Sequence, residues 1–473
     1  MSINILNTTK TIAVSNIKIV RENKKNYVYV PVSNALFEID DTIHFILTSK
    51  LKSTTEIYNQ LKNKINEIEF KNIIDALIEN KLINYVEEKT LISPEKFKNI
   101  SAITLMMVQE CNLRCKYCYA GDGEYNEKGR MSLKTAIAAV DFLIAQSGNR
   151  NNLSIVFFGG EPLLNFDVLK KIVEYANAQS ELYNKNISYS MTCNGTLINK
   201  DITKFIVENK IAVQVSVDGN ENAHDINRFY GNKKGSYEVI IKRTEELRNK
   251  RKLGVRSTIT PENTDLVEIY NHLFDLNFRS IYAAPAIQMF TEEQFIELNE
   301  SYNSLIQYFE ELVENEEFHK AVKINNIMKN LERIHAGYES TYSCGAEVNF
   351  LAVDINGDFY PCHRFVNNKE YKQGDIFEGV NEVSKTDFLM EAHVSNRLNC
   401  NSCWAKNLCG GGCHHENLEM TGKVTNPPKQ YCTLTRKQLE GCLHLYLRLT
   451  EEQKEILLEK NKEKEFVRNG NQN

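Results

Sequence analysis

Cys111-Asn-Leu-Arg-Cys115-Lys-Tyr-Cys118 sets three residues between its first two cysteines and two between the last two, directly after the apolar run Ile103 to Val108. Three thiolates so close on one loop can hold three irons of a cubane cluster. The stable ligand set of such a cluster is four, so the fourth iron is left open to something that is not protein. A structural zinc ion would close its shell with a fourth Cys or His, and no His lies near this loop. The spacing therefore predicts an open cluster on Cys111, Cys115 and Cys118, at the end of a strand.

Working outward, 473 residues exceed one ordinary core and predict several domains. Sixty-two acids against 57 bases give a net charge of -5, which argues against a nucleic-acid partner. No apolar run reaches the length of a membrane span, and MSINILNTTKTIAVSN lacks the charged-then-apolar pattern of a signal peptide. A cytoplasmic protein with no membrane partner is expected. In that reducing compartment the twelve cysteines serve as ligands or catalysts, and ten of them fall into two spaced groups.

Residues 1–88 read as a separate front domain. Short strands at Ile17 to Val20, Tyr27 to Pro31 and Ala35 to Ile39 are followed by helices opened by Asp40 and Ser53 and by a third over Ile68 to Leu82, a winged-helix-like order. No basic recognition helix supports DNA binding. A strand edge near Tyr27 to Pro31 is the expected dock for an extended peptide. A linker with Pro94 covers 89–100. Over 101–315, strands at Ile103–Gln109, Leu153–Phe158, Ser188–Thr192, Val213–Val217, Leu253–Thr260 and Arg279–Ala284 alternate with helical segments such as Leu133–Gln146 and Val168–Leu182. Six such units predict an α/β fold, an incomplete TIM-like (β/α)6 barrel with its chemistry at the C-terminal strand ends. Bridging helices are expected over 316–343, a cysteine-rich domain over 344–450, and a helical tail fraying into disorder over 451–473.

Strand two ends in Phe158-Gly159-Gly160-Glu161-Pro162, where paired glycines allow close backbone approach to a ligand and Glu161 offers a carboxylate. Strand three ends in Thr192-Cys193-Asn194-Gly195 and strand four in Ser216-Val-Asp218-Gly219, with His224 and Arg228 beyond. The cysteine loop with its aromatic Tyr117, together with Gly-Gly-Glu-Pro, resembles the radical S-adenosylmethionine (SAM) enzymes. The resemblance implies a 4Fe-4S cluster whose unique iron is chelated by SAM, and reductive cleavage of SAM to a 5′-deoxyadenosyl radical that abstracts a substrate hydrogen. It implies Gly159, Gly160 and Glu161 at the SAM amino group, Ser216 and Arg228 at its carboxylate or ribose, and Tyr117 and Asn194 as further pocket residues.

The second cysteine group runs Cys344-x12-Gly357-x4-Cys362, then Cys400-x2-Cys403-x5-Cys409-x3-Cys413, then Cys432. Paired x2 spacings also suit zinc, but seven cysteines exceed one tetrahedral site, and Gly410-Gly-Gly412 suits the close backbone approach a bulky cluster needs. The group resembles the SPASM extension of radical SAM enzymes. That resemblance implies two auxiliary 4Fe-4S clusters, three clusters in all. Cys400, Cys403, Cys409 and Cys432 would hold the outer auxiliary cluster, and Cys344, Cys362 and Cys413 the inner one. The inner set is one ligand short, so either its fourth site is open to a substrate thiolate or Cys442 reaches it.

The front domain and the run Gly357-Asp-Phe-Tyr-Pro-Cys-His-Arg-Phe-Val366 resemble the maturases of ribosomally made peptides that form thioether crosslinks, the ranthipeptide and sactipeptide type. The resemblance implies a precursor peptide whose leader binds the front domain and an electron donor such as flavodoxin or ferredoxin. Formylglycine formation of the sulfatase-maturase type and carbon–carbon crosslinking are the alternatives within the class. Sulfatase maturases carry Asp where this chain has His363, which is the candidate base here, and they lack the front domain. A DNA-binding iron–sulfur regulator is the alternative outside it.

Overall fold

The computed structural model describes residues 12–49, 53–85, 100–121, 123–250, 252–337 and 340–459, so 89–99 of the expected linker and the last part of the tail lie outside the described residues. The front unit has a core of its own, with Val28, Val30, Ile57, Phe70 and Ile74 fully buried together. Strands β1 (Ile12–Val14), β2 (Lys18–Glu22), β3 (Lys25–Val30) and β4 (Ala35–Ile39) precede three helices, Asp41–Thr48, Thr54–Leu61 and Glu67–Glu79, and β5 (Ile83–Tyr85) returns to pair with β1. Asp40 caps the first helix by accepting from the Ile43 amide at 2.8 Å. Asn66 and Glu69 close a capping box that starts the third one residue before its apolar stripe.

The expected peptide edge needs correcting. Strands β2, β3 and β4 form an antiparallel meander in that order, so β3, which holds Tyr27 to Val30, is the central strand with both edges paired. Among the described residues the free edges are those of β2 and β4. The side chains of β2 reach toward the C-terminal helix Lys429–Arg448: Lys18 pairs with Glu440 at 2.6 Å, and Glu22 with His444 at 2.8 Å and Arg448 at 3.3 Å. On the same side Tyr29 meets Trp404 edge-on at 6.1 Å, and Asn407 donates to the Pro31 carbonyl.

All six expected barrel strands form: β6 (Ala102–Val108), then, after the three-residue β7 (Leu113–Cys115), β8 (Asn152–Gly159), β9 (Asn186–Cys193), β10 (Ala212–Ser216), the short β11 (Arg228–Tyr230), β12 (Leu253–Ile259) and β13 (Ser280–Pro285). The sheet order β13-β12-β10-β9-β8-β6 is parallel throughout, with helices over the apolar side. Strand β6 is buried at every position after its first, as a parallel strand covered on both faces must be. The sheet then continues beyond β6 into β14 (Phe350–Val353), parallel to it, and β15 (Phe359–Tyr360), antiparallel. The cysteine-rich region is thus stitched to the barrel by the backbone ladder between β14 and β6. Residues 451–459 are helical and bury Leu457 and Leu458. Among the described residues no helix is long and apolar enough to cross a membrane.

Candidate active site

The cysteine loop leaves the C-terminal end of β6, and neighbouring strand ends hold it. Strand β7 pairs antiparallel with β11, setting Cys115 opposite Arg228. The Gly160 amide donates to the Val108 carbonyl and the Glu161 amide to the Glu110 carbonyl, both at 2.9 Å. A Cβ on Gly160 would stand 2.2 Å from the Glu110 oxygen, and one on Gly159, at φ 136°, would stand 2.2 Å from the Val108 oxygen. Both glycines are needed because the end of β8 presses on the backbone leading into the cysteines, not only for approach to a ligand. Gly160→Ala is expected to cost about 3 kcal/mol, since backbone rather than a yielding side chain blocks the new methyl. Denaturant unfolding of the full chain checks this.

Glu161 is fully buried. Its carboxylate accepts from the Leu163 amide at 3.1 Å and the Asn194 amide at 2.7 Å, tying the ends of β8 and β9 together. Burial nevertheless pushes its pKa up to about 7, so an arriving cation would stabilise the ionised form. Asn194 in turn donates to Asn112 Oδ1 at 2.8 Å and lies 3.8 Å from the Cys111 sulfur, while Asn112 donates to Thr196 at 2.8 Å. The Thr-Cys-Asn-Gly strand end is therefore a brace for the cysteine loop.

Tyr117 donates to Asp218 and accepts from Arg228 at 2.8 Å. Arg228 is buried, and its Nε finds no partner among the described residues. That orphaned donor beside Cys115 fits a site that a polar ligand completes. Ser216 is half-buried at the end of β10. His224 takes no such place: its ring accepts from the Asp218 amide at 3.3 Å and meets Ser236 at 2.9 Å, and burial keeps it neutral as a strut. Burial pushes the thiol pKa up to about 12 at Cys111 and about 11 at Cys115, so these thiols hold their protons until a metal displaces them.

The seven cysteines of the second group fall into two sets by their mutual electrostatics. Cys400, Cys403, Cys409 and Cys432 line one cavity of about 390 Å³ and act on one another electrostatically. Cys344, Cys362 and Cys413 do the same among themselves. Between the sets lies Arg397, fully buried, which donates to the Gly411 carbonyl and to His414 Nδ1 at 2.7 Å and feels Cys400, Cys409, Cys344 and Cys413. A Cβ on Gly411 would stand 2.4 Å from its guanidinium, so this glycine makes room for Arg397. Cys442 sits ten residues beyond Cys432 on one helix, about 15 Å along its axis. It is buried in the core, where the Asn330 side-chain amide donates to its sulfur at 3.8 Å. Among the described residues no three His, Cys, Asp or Glu stand close enough to hold a single metal ion.

A cavity of about 620 Å³ runs from the barrel to this region. Phe158, Thr192, Gln214 and Arg256 line it from the sheet, and His363, Arg364 and Cys413 from the cysteine-rich side. Arg364 donates to the Cys413 sulfur at 3.4 Å and pairs with Glu416 at 2.8 Å. His363, the candidate base, stacks on Phe158 at 4.2 Å. Burial and the nearby Arg364, Arg256 and His415 push its pKa down to about 3, which makes it a packing group and a poor proton acceptor. What sequence reasoning missed here is the part played by three arginines: Arg364, which sits unremarked inside the run Gly357 to Val366, and Arg256 and Arg397, which no quoted motif contains.

Residues 105–273 match the family model described as the Radical SAM superfamily. The chain is 37% identical over 181 residues to an uncharacterized protein of Methanocaldococcus jannaschii, a match that takes in 38% of this chain and 60% of that protein, less than two thirds of its length. It is 23% identical over 466 residues to the radical SAM cyclopropyl synthase TigE of Paramaledivibacter caminithermalis, covering 91% of this chain and 95% of TigE. A cysteine-type anaerobic sulfatase-maturating enzyme of Clostridium novyi is 26% identical over 337 residues, 67% of this chain and 88% of that enzyme. The solved structure of native anSMEcpe with bound AdoMet shares the fold, with a TM-score of 0.63 at 19% identity over 74% of this chain and 100% of that one.

Proposed function

We propose, from the premise that this chain carries a radical SAM domain and has homologues among the sulfatase-maturating and TigE families, that it modifies a ribosomally made precursor peptide by joining a cysteine sulfur to a carbon of the same peptide. The observation that carries this reading is the cavity bounded by barrel strands on one side and by Cys413 of the three-thiol set on the other. The match to TigE along 91% of the chain, front unit included, supports a peptide maturase.

Cys111, Cys115 and Cys118 would hold the SAM-binding 4Fe-4S cluster. Arg228, through its orphaned Nε, and Ser216 are the proposed contacts of the SAM carboxylate or ribose, and Glu161 with Gly159 and Gly160 borders its amino group. Cys400, Cys403, Cys409 and Cys432 would hold the outer auxiliary cluster. Cys344, Cys362 and Cys413 would hold the inner one, its fourth position open because Cys442 is occupied in the core. When bound, these groups would supply a hydrogen-abstracting 5′-deoxyadenosyl radical from SAM and an acceptor for the one electron left over when a C–H and an S–H are exchanged for a C–S bond, the thiol proton leaving to solvent. The leader would add to the free edge of β4, since β3 is paired on both sides. Flavodoxin or ferredoxin would deliver the electron.

Anaerobic reaction of the reconstituted full chain with a cysteine-containing peptide encoded beside its gene tests the proposal. The expected product has lost two hydrogens and one alkylatable thiol per bridge. A second reading, oxidation of a substrate cysteine to formylglycine, is favoured by the Clostridium novyi relative. An aldehyde at the cysteine position in place of a bridge would establish it.

A further inference from the structure

The 620 Å³ cavity carries a charge opposite to that of the whole chain. The chain bears a net charge of -5, yet, leaving aside Cys409 and Cys413, whose thiolates the cluster reading commits to iron, the charged residues lining this cavity are Arg256, Lys329, Arg333, Arg364 and Glu416, four cations and one acid. The acid is already taken by Arg364 at 2.8 Å. The other three come from two elements that converge on one ring. Arg256 of β12 and Tyr282 of β13 are cross-strand neighbours, and the Arg256 guanidinium lies 5.3 Å from the Tyr282 ring centre. Lys329 Nζ, from the helix Asn325–Ala336, lies 4.9 Å from the same ring. Arg333 follows one turn later and donates to the Leu408 carbonyl at 2.9 Å.

None of these three cations is ion-paired to a described carboxylate, although Arg256 acts at longer range on Asp218, whose oxygens are held by Tyr117 and the Thr258 amide. Arg256 and Lys329 keep accessible surface, as groups facing an open cavity do. Enough protein surrounds Lys329, and Arg333 and Arg256 stand close enough, that its pKa is pushed down, with Glu332 offsetting this least. Gathering like charges beside an aromatic ring is unfavourable until an anion enters, and it raises the local concentration of anions.

We propose that this cavity seats a carboxylate-bearing residue of the peptide substrate on Arg256, Lys329 and Arg333, within reach of the site lined by Cys413. The inference rests on the peptide-modifying reading and names the chemistry of the residue presented.

Calorimetric titration of the cluster-reconstituted full chain, saturated with SAM and without reductant, tests it. The probes are N-acetyl-Gly-Asp-Gly-amide and its Asn counterpart. The Asp peptide is expected to bind about tenfold more tightly, an advantage that shrinks as salt is raised. Lys329→Gln is expected to remove most of the advantage and Lys329→Arg to keep it. An advantage below about twofold, including failure of both peptides to bind, overturns the proposal. So does an advantage that Lys329→Gln leaves intact, or one present only when SAM is absent, which would assign the cations to the SAM carboxylate. Reductive SAM cleavage, measured on the same preparation, reports separately on the radical SAM reading: cleavage without an Asp advantage sinks the carboxylate inference alone.

Discussion

Replacing any one of Cys111, Cys115 and Cys118 by Ala is expected to lower reductive SAM cleavage by at least about 1,000-fold, to the background of the uncatalysed reaction. The three thiols sit on one loop that β6, the Gly159–Gly160 backbone, Asn194 and the β7–β11 ladder hold from different directions. A two-thiol remnant offers the cluster too few ligands, and Cys193, on the neighbouring strand β9, is buried in the sheet. The measurement is 5′-deoxyadenosine released per chain under reducing conditions, with iron content in parallel. Iron is expected to fall by about one third, because the other two thiol sets are untouched. Cleavage by the Cys115→Ala variant at more than a tenth of the parent rate would remove the loop from the chemistry.

Cys413→Ala separates the two halves of the reaction. Cys413 belongs to the three-thiol set and lines the large cavity, while the SAM-side loop lies at the barrel strand ends. SAM cleavage is therefore expected to persist within about threefold, whereas C–S bond formation falls by at least about 100-fold. Normal crosslinking by this variant would show that the inner set does not handle the peptide thiol. Cys442→Ala is the control: its thiol is buried against Asn330, away from both sets, so both activities should stay within about twofold with a stability loss of about 1 kcal/mol.

Much of this was legible in the sequence because its signals are local. Strand β6 is a short, mostly apolar run and β9 and β10 alternate apolar with polar residues, and the two cysteine groups show their spacing directly. The division of the seven later cysteines into sets of four and three follows the resemblance, and which of them hold which cluster stays a proposal. Non-local features were not legible. Strand β1 is three residues long and finds its partner in β5 from the far end of the front unit. Strand β14 joins β6 across nearly 250 residues, and nothing in Phe350–Val353 announces which sheet it extends. The central position of β3 follows from its place in a three-strand meander, where the middle strand has no free edge, and the expected peptide dock there was wrong for that reason. The glycines were read as room for ligands, yet Gly159 and Gly160 make room for backbone and Gly411 for Arg397, contacts that only the folded chain brings together.

The central claim, that a radical formed at the Cys111 loop acts on a carbon of a peptide, is tested most directly by isotope transfer. The full chain is reacted anaerobically with SAM and the substrate peptide carrying deuterium at the acceptor carbon, and the 5′-deoxyadenosine is analysed by mass. The account predicts one deuterium in each 5′-deoxyadenosine formed per bridge closed. Bridged peptide accompanied by unlabelled 5′-deoxyadenosine would contradict it.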